Sequence, residues 1–94
     1  MIVKVIPKGV EFEAFYYKSA KDVVGLRRFT KAVSSKVMQH GSAVLNFPAM
    51  SPTGTPDHIE LFVRTDSYVF WDCDNEQWVS TPATVFRIDY EVIT

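Results

Sequence analysis

The chain has 94 residues, 47% of them hydrophobic and 14% aromatic, and its net charge is −1. This length allows a single domain spanning residues 1–94, and so large an apolar fraction excludes an intrinsically disordered chain. No apolar run approaches the roughly 18–20 residues that a membrane-spanning helix needs, and the first residues lack the pattern of a signal peptide. Cys73 is the only cysteine, which excludes an internal disulfide and a cysteine-based zinc site. We therefore expect a cytoplasmic protein that makes no membrane contact.

The small net charge hides a division along the chain. Residues 1–40 carry eight Lys and Arg side chains against three acidic ones, whereas residues 41–94 carry two against eight. Such a division favours surfaces of opposite sign, which affect association more than folding. A helix that exposes ordinary solvated charges would also explain the basic half.

Two strands are predicted at the start of the chain. Ile2–Ile6 and Val10–Tyr17 have the composition of strands, and the turn-forming residues 7–9 separate them. The connection is not a strong hairpin turn, so either the two strands pair with each other or each pairs elsewhere.

A helix is predicted over Ala20–Gln39. Ser19 and Asp22 resemble a capping box, which satisfies backbone N–H groups at a helix start. Gly41 is a suitable left-handed residue to end the helix. Between these signals, apolar residues recur at steps of three and four, the spacing of one helix face. This stripe consists of Val23, Leu26, Phe29, Val33 and Val37.

The second half reads as short strands with short connections, which favours an antiparallel meander. Proline-rich residues 48–56 predict a loop, and Thr81-Pro82 favours a short helical turn. The predicted strands are Ala43–Phe47, residues 58–64, Tyr68–Trp71, Gln77–Ser80 and Phe86–Val92. The predicted fold class is α+β, with one helix packed on a five- or six-stranded, mostly antiparallel sheet.

No catalytic constellation, cofactor motif or metal site is predicted. The four glycines form neither a phosphate-binding loop nor a nucleophile elbow. Cys73 lies between two aspartates, which disfavour its thiolate. A small enzyme or metal protein built on His58 and Asp57 is the third hypothesis, although no helix-spaced histidine pair supports it.

The acidic segment from Asp72 to Glu76 begins like a calcium-binding loop. However, Gln77 stands at the glycine position of that loop, and Ala83 stands where its closing carboxylate belongs. We therefore expect a solvated acidic turn, or one that meets a basic partner.

Aromatic residues are in excess, since thirteen of them are more than one face of a small sheet can hide. Some should be exposed or covered by a partner, and an open sheet edge would also allow a homo-oligomer. The first hypothesis is a non-catalytic protein that binds another protein or protein complex through acidic turns and a tryptophan anchor. Its residues are Asp66, Trp71, Asp72, Asp74, Glu76 and Trp78.

The alternative hypothesis is a nucleic-acid-binding module that uses the basic helix. Its residues are Lys21, Arg27, Arg28 and Lys31. Aromatic residues on a sheet can stack on bases, but the negative charge of the strand-rich half repels phosphate. Nucleic acid is therefore the second choice of partner.

Three short segments resemble a group of small bacteriophage and prophage accessory proteins. Glu13-Ala14-Phe15 matches their first strand, and Pro56-Asp57-His58-Ile59 matches their P-G-D-x-I turn without its glycine. Pro82, Phe86 and Tyr90-Glu91 match their P-x-x-F-x-x-x-Y-E end with one extra residue after the proline. The resemblance implies an intracellular phage protein that occupies a surface of a host macromolecule, such as a defence complex of the CRISPR type. It implies no reaction.

Overall fold

A computed structural model describes residues 2–6, 12–50 and 56–92. The described part holds eight strands and two α-helices, with a 3₁₀ turn (Ala20–Asp22) before the first helix. In chain order these are β1 (Ile2–Ile6), β2 (Phe12–Tyr17), α1 (Val23–Thr30), β3 (Ser34–Val37), β4 (Ala43–Met50), β5 (Pro56–Val63), β6 (Ser67–Asp72), β7 (Gln77–Pro82), α2 (Ala83–Asp89) and β8 (Glu91–Val92).

The strands form two antiparallel sheets, which confirms the α+β class. The large sheet has the order β7-β6-β2-β1-β8, in which β8 has only two residues, and the small sheet has the order β3-β4-β5. The prediction of one five- or six-stranded sheet is wrong, because β4 pairs with β5 on one side and with β3, a strand from the predicted helical segment, on the other. Among the described residues, none of these three strands pairs with the large sheet. β1 and β2 do pair with each other, although their connection lies outside the described residues.

Both faces of the large sheet are buried. Phe15 and Val69, which are cross-strand partners, pack with Leu26 of α1 and Leu45 of the small sheet. On the opposite face, a second apolar cluster packs against α2, and its members are Val3, Val5, Ala14, Tyr68, Ala83 and Phe86. Since consecutive strand residues point to opposite faces, both faces need apolar side chains. Two cores therefore absorb most of the aromatic excess, while Phe62 and Trp71 remain exposed, in line with the prediction that some rings are not buried.

The first helix is shorter than predicted. It ends at Thr30, and Lys31 follows in the left-handed conformation with φ 61°. The side chain of Asp22 accepts a hydrogen bond from the backbone N–H of Ser19 at 3.3 Å, so the predicted start is confirmed. Val33 and Val37 do not belong to a buried helical stripe, because they lie on or beside β3 and are 59% and 39% exposed.

Residues 34–37 form a strand because they gain a ladder with β4, and because Val37 is β-branched and suits a pleated surface. Ser35 pairs with Leu45 in the β3–β4 ladder. Gly41 has φ +95° as expected, but it serves the turn between β3 and β4 rather than a helix end. Its N–H donates to the Met38 carbonyl at 2.9 Å within that turn.

The end of the chain also differs from the prediction. The predicted strand Phe86–Val92 is mostly α2, and only Glu91–Val92 pairs with β1. Phe86 is fully buried while Ile88 is 80% exposed, which contradicts the strand alternation that gave both the same face. The rings of Phe86 and Tyr90 stack at 4.6 Å because residues four apart are neighbours on a helix.

β4 and β5 extend into the predicted proline-rich loop. Pro48 pairs with position 58, and the β4–β5 ladder continues to Met50 and Pro56. The β3–β4 ladder ends at Asn46. Beyond that residue no described strand pairs with β4 on the β3 side, so Pro48, which has no N–H to donate, leaves no ladder hydrogen bond unmade there. Residues 51–55 of the predicted loop lie outside the described residues.

Candidate functional site

A groove of about 640 Å³ lies between the two sheets, a volume typical of ligand sites. Its small-sheet side is lined by Phe47, Pro48, Ile59, Glu60, Leu61 and Phe62. Its large-sheet side is lined by Trp71, Glu76, Gln77, Trp78, Val79 and Ser80. The groove therefore brings both tryptophans of the chain to one site.

The β6–β7 hairpin positions the two tryptophans. Trp71 and Trp78 are cross-strand partners, and their rings meet edge to face with centroids 5.3 Å apart. Trp78 is half-buried because it also packs against Phe29, whose ring centroid is 5.6 Å away. Trp71 has no such cover and is 44% exposed. The core thus holds Trp78 in place, and Trp78 in turn orients Trp71 toward the groove.

The opposite wall carries exposed apolar side chains from β5. Ile59 is 58% exposed and Phe62 is 47% exposed. Ile59 shares a sheet face with Leu61, which packs against the core, whereas Phe62 pairs with Val44 on the other face of the small sheet. All three of these exposed apolar side chains, Ile59, Phe62 and Trp71, line the groove, and exposed apolar surface is a typical feature of an interaction site. The sequence analysis missed these β5 residues.

The groove is also acidic. Among the residues that the structure describes, Glu60 and Glu76 are the charged ones that line it, and none of the described Lys or Arg residues does so. Glu76 is exposed and has φ 51°, so a left-handed residue ends the turn that leads into β7. With two carboxylates and no cation along its walls, the groove favours a positively charged occupant.

Asp72 stabilises the turn rather than facing the groove. Its carboxylate accepts hydrogen bonds from the backbone N–H of Asp74 at 3.0 Å and from the side chain of Asn75 at 2.8 Å. The side-chain bond from Asn75, followed by the backbone bonds, lowers the pKa of Asp72 despite some desolvation. Asp74 is exposed in the same turn, beside the groove.

Asp66 lies apart from the other predicted partner-binding residues. It precedes β6, whereas Asp72 ends that strand, so about 20 Å of extended chain separates them. Its carboxylate accepts a hydrogen bond from the hydroxyl of Tyr16. Its backbone accepts from the N–H of Ala83 at 2.9 Å and donates to Tyr17 at 2.7 Å. Asp66 thus joins β2 to the start of α2.

A cluster around Arg87 lies near Asp66 and was not predicted. The guanidinium donates to the hydroxyl of Tyr68 at 3.2 Å and lies 5.7 Å from the ring centroid of Tyr16. The hydrogen bond to Asp66 is the main cause that raises the pKa of Tyr16. The cluster ties α2 to β2 and β6, so its evident role is structural.

Of the predicted nucleic-acid-binding residues, Arg27 and Arg28 lie on α1, while Lys21 lies in the preceding 3₁₀ turn and Lys31 follows the end of the helix. None of the four lines the groove. Lys21, Arg28 and Lys31 are exposed, whereas Arg27 is half-buried. Lys31 also ends α1, since its backbone N–H donates to the carbonyl of Arg27. The basic surface is therefore smaller than a helix through Gln39 would have given.

The described residues contain no group of three or more His, Cys, Asp or Glu side chains that could hold a metal ion. The side chains of His58 and Asp57 lie outside what the structure describes. Cys73 is exposed in the acidic turn.

No protein-family model, curated protein or solved structure matches the chain. Among the described residues, neither helix has the length and apolar character needed to cross a bilayer.

Proposed function

We propose that the protein is a non-catalytic accessory protein of phage type that binds a host protein and inhibits the complex to which that protein belongs. The exposed ring of Trp71 above the groove carries this proposal. Tryptophan is one of the residue types most enriched among the few interface residues that contribute most of the binding free energy. The phage origin and the host defence complex rest on the sequence resemblance. The nucleic-acid-handling complex rests on the acidic residues, and the cytoplasmic location rests on the cysteine count and the sequence composition.

The acidic walls favour a partner with a basic surface. Glu60 and Glu76 line the groove, and Asp74 lies in the adjoining turn. Proteins that handle nucleic acids present basic surfaces for phosphate, and a carboxylate can occupy the same positions. Asp66 and Asp72, which the sequence predicted as partner-binding residues, are left out of this acidic surface because their carboxylates accept hydrogen bonds within the fold.

Affinity capture from bacterial lysate with matched variants tests the proposal. We expect Trp71→Ala to lose a host protein that the unchanged chain retains, with an affinity loss of roughly 30-fold or more for a central tryptophan. Ile88→Ala is the control, because Ile88 is equally apolar, 80% exposed and located on α2. Purified partner should then be inhibited by the unchanged chain and by the control, but not by Trp71→Ala.

A variant of the basic helix distinguishes the alternative function, nucleic-acid binding, from partner binding at the groove. Charge reversal at Arg27, Arg28 and Lys31 should leave capture unchanged. If this variant loses the partner while Trp71→Ala keeps it, the groove is not the binding site. Salt-dependent binding of random DNA or RNA that this variant abolishes would favour the nucleic-acid-binding alternative.

A further inference from the structure

β5 and β7 are both edge strands, and the groove lies between them. β7 ends the large sheet and β5 ends the small sheet, so each is paired with one neighbouring strand among the described residues. Alternate residues of an edge strand direct their N–H and C=O groups away from the sheet, where another strand can pair with them. The groove is therefore flanked by backbone hydrogen-bonding groups as well as apolar side chains.

Consecutive residues line the groove on both sides, namely residues 59–62 of β5 and 77–80 of β7. Successive side chains of a strand point to opposite faces, so a groove over one face would be lined by every second residue. The groove lies over the faces that carry Phe47 of β4 and Trp71 of β6, and the succession of lining residues on β5 shows that it also reaches the edge of that strand. At ~3.3 Å per residue, the lined edge of β5 is about 13 Å long, enough to pair with a short extended segment.

The β5 edge suits an added strand better than the β7 edge. The small sheet packs its inner face, including Leu61, on the core to which Trp78 also belongs. A strand added beside β5 would extend this sheet, and its inner side chains would lie over Trp71, which is 44% exposed. On the outer face it would lie beside Phe62 and Glu60. An apolar inner face and a basic outer face would match these neighbours.

We infer that the groove binds an extended segment of a partner protein, with alternating apolar and basic side chains, as an added strand on the edge of β5. This inference rests on the proposed function and specifies how the partner is held. Backbone hydrogen bonds would supply affinity, and the two tryptophans with Glu60 would supply specificity, as in other complexes formed by strand addition.

A short peptide of alternating Val and Lys, with and without N-methylation of its central amides, tests the inference on the full chain. N-methylation keeps the side chains but removes the backbone donors and blocks pairing. The unmethylated peptide should bind roughly ten-fold or more tightly than the methylated one, the loss expected for two or more hydrogen bonds. Residue-resolved amide exchange should show slower exchange at alternate positions among 59–62 when the unmethylated peptide is bound.

Each other result overturns strand addition on β5. Equal binding of the two peptides without slowed amides, or no binding by either, would refute it, while dependence of partner capture on Trp71 would still support the proposed function. Slowed exchange in β7 alone would place the strand on the other edge. A concentration-dependent dimer that slows the same β5 amides without peptide would identify a second copy of this chain as the occupant.

Discussion

Replacing Phe86 tests the second core and the helix that covers it. Phe86 is fully buried, and its ring stacks on Tyr68 at 4.3 Å and on Tyr90 at 4.6 Å. Removing a buried phenylalanine ring costs about 3–5 kcal/mol in lost burial and cavity formation. A domain of this size has roughly 5–15 kcal/mol of stability, so Phe86→Ala should remove a large part of it. At roughly 4–8 °C per kcal/mol, the thermal midpoint should fall by at least about 12 °C.

Ile88→Ala is the matched control, because its expected effect on the free energy of unfolding is small if residues 83–89 form a helix and large if they form a strand. On α2, Ile88 is 80% exposed, so its truncation should change the free energy of unfolding by no more than about 0.5 kcal/mol. On a strand, Phe86 and Ile88 would share one face and both truncations would be costly. Urea unfolding followed by tryptophan fluorescence measures both variants. Similar large losses for the two would refute the assignment of residues 83–89 to a helix.

Three further predictions concern stability. Leu26→Ala should lower the free energy of unfolding by about 2–5 kcal/mol because Leu26 is fully buried. Val37→Thr should lower it by less than about 0.5 kcal/mol because Val37 is exposed on β3. Similar losses for the two variants in denaturant unfolding would instead support a helix that continues to Gln39. Gly41→Ala should lower the free energy of unfolding by roughly 1–2 kcal/mol because φ is +95° at that position. An unchanged thermal midpoint would contradict a left-handed residue in the turn between β3 and β4. Burial raises the pKa of Tyr17 above 10.0, so the folded state retains this proton longer and stability should fall as the pH rises above 10. Tyr17→Phe should make the free energy of unfolding fall less steeply with pH above 10. If the variant loses stability with pH as steeply as the unchanged chain, Tyr17 is not the group responsible.

The turns on either side of β6 and the β6–β7 hairpin could be predicted from the sequence because their signals are local. Aspartate and asparagine in the acidic turn favour it through side-chain hydrogen bonds to the backbone, and Asp72 forms such bonds. The alternation of residues 58–64 likewise predicted a strand, which β5 confirms.

The boundaries of the first helix could not be predicted, because Val33 and Val37 continue the apolar spacing beyond Thr30. Periodicity does not reveal that Lys31 adopts a left-handed conformation, nor that residues 34–37 gain a ladder with β4. The same limit applies to Phe86, whose position fits both a strand and a helix face.

The candidate site was predicted in part. Trp71, Trp78 and Glu76 were proposed together and do line one groove. Ile59 and Phe62 could not be assigned to it, because the site lies between edges of two sheets and the sequence predicted one. Asp66 was grouped with the acidic turn by charge alone, but the length of β6 separates them.

Site-specific photocrosslinking tests the central claim, that the groove is the partner-binding surface. Benzoylphenylalanine is introduced at Phe62 on the groove wall, at Ile88 on α2, or at Arg28 on the basic helix, and the three proteins are irradiated in bacterial lysate. We expect a host protein to be covalently attached through position 62 and through neither position 88 nor position 28. Attachment of that protein through position 28, with none through position 62, would contradict the account.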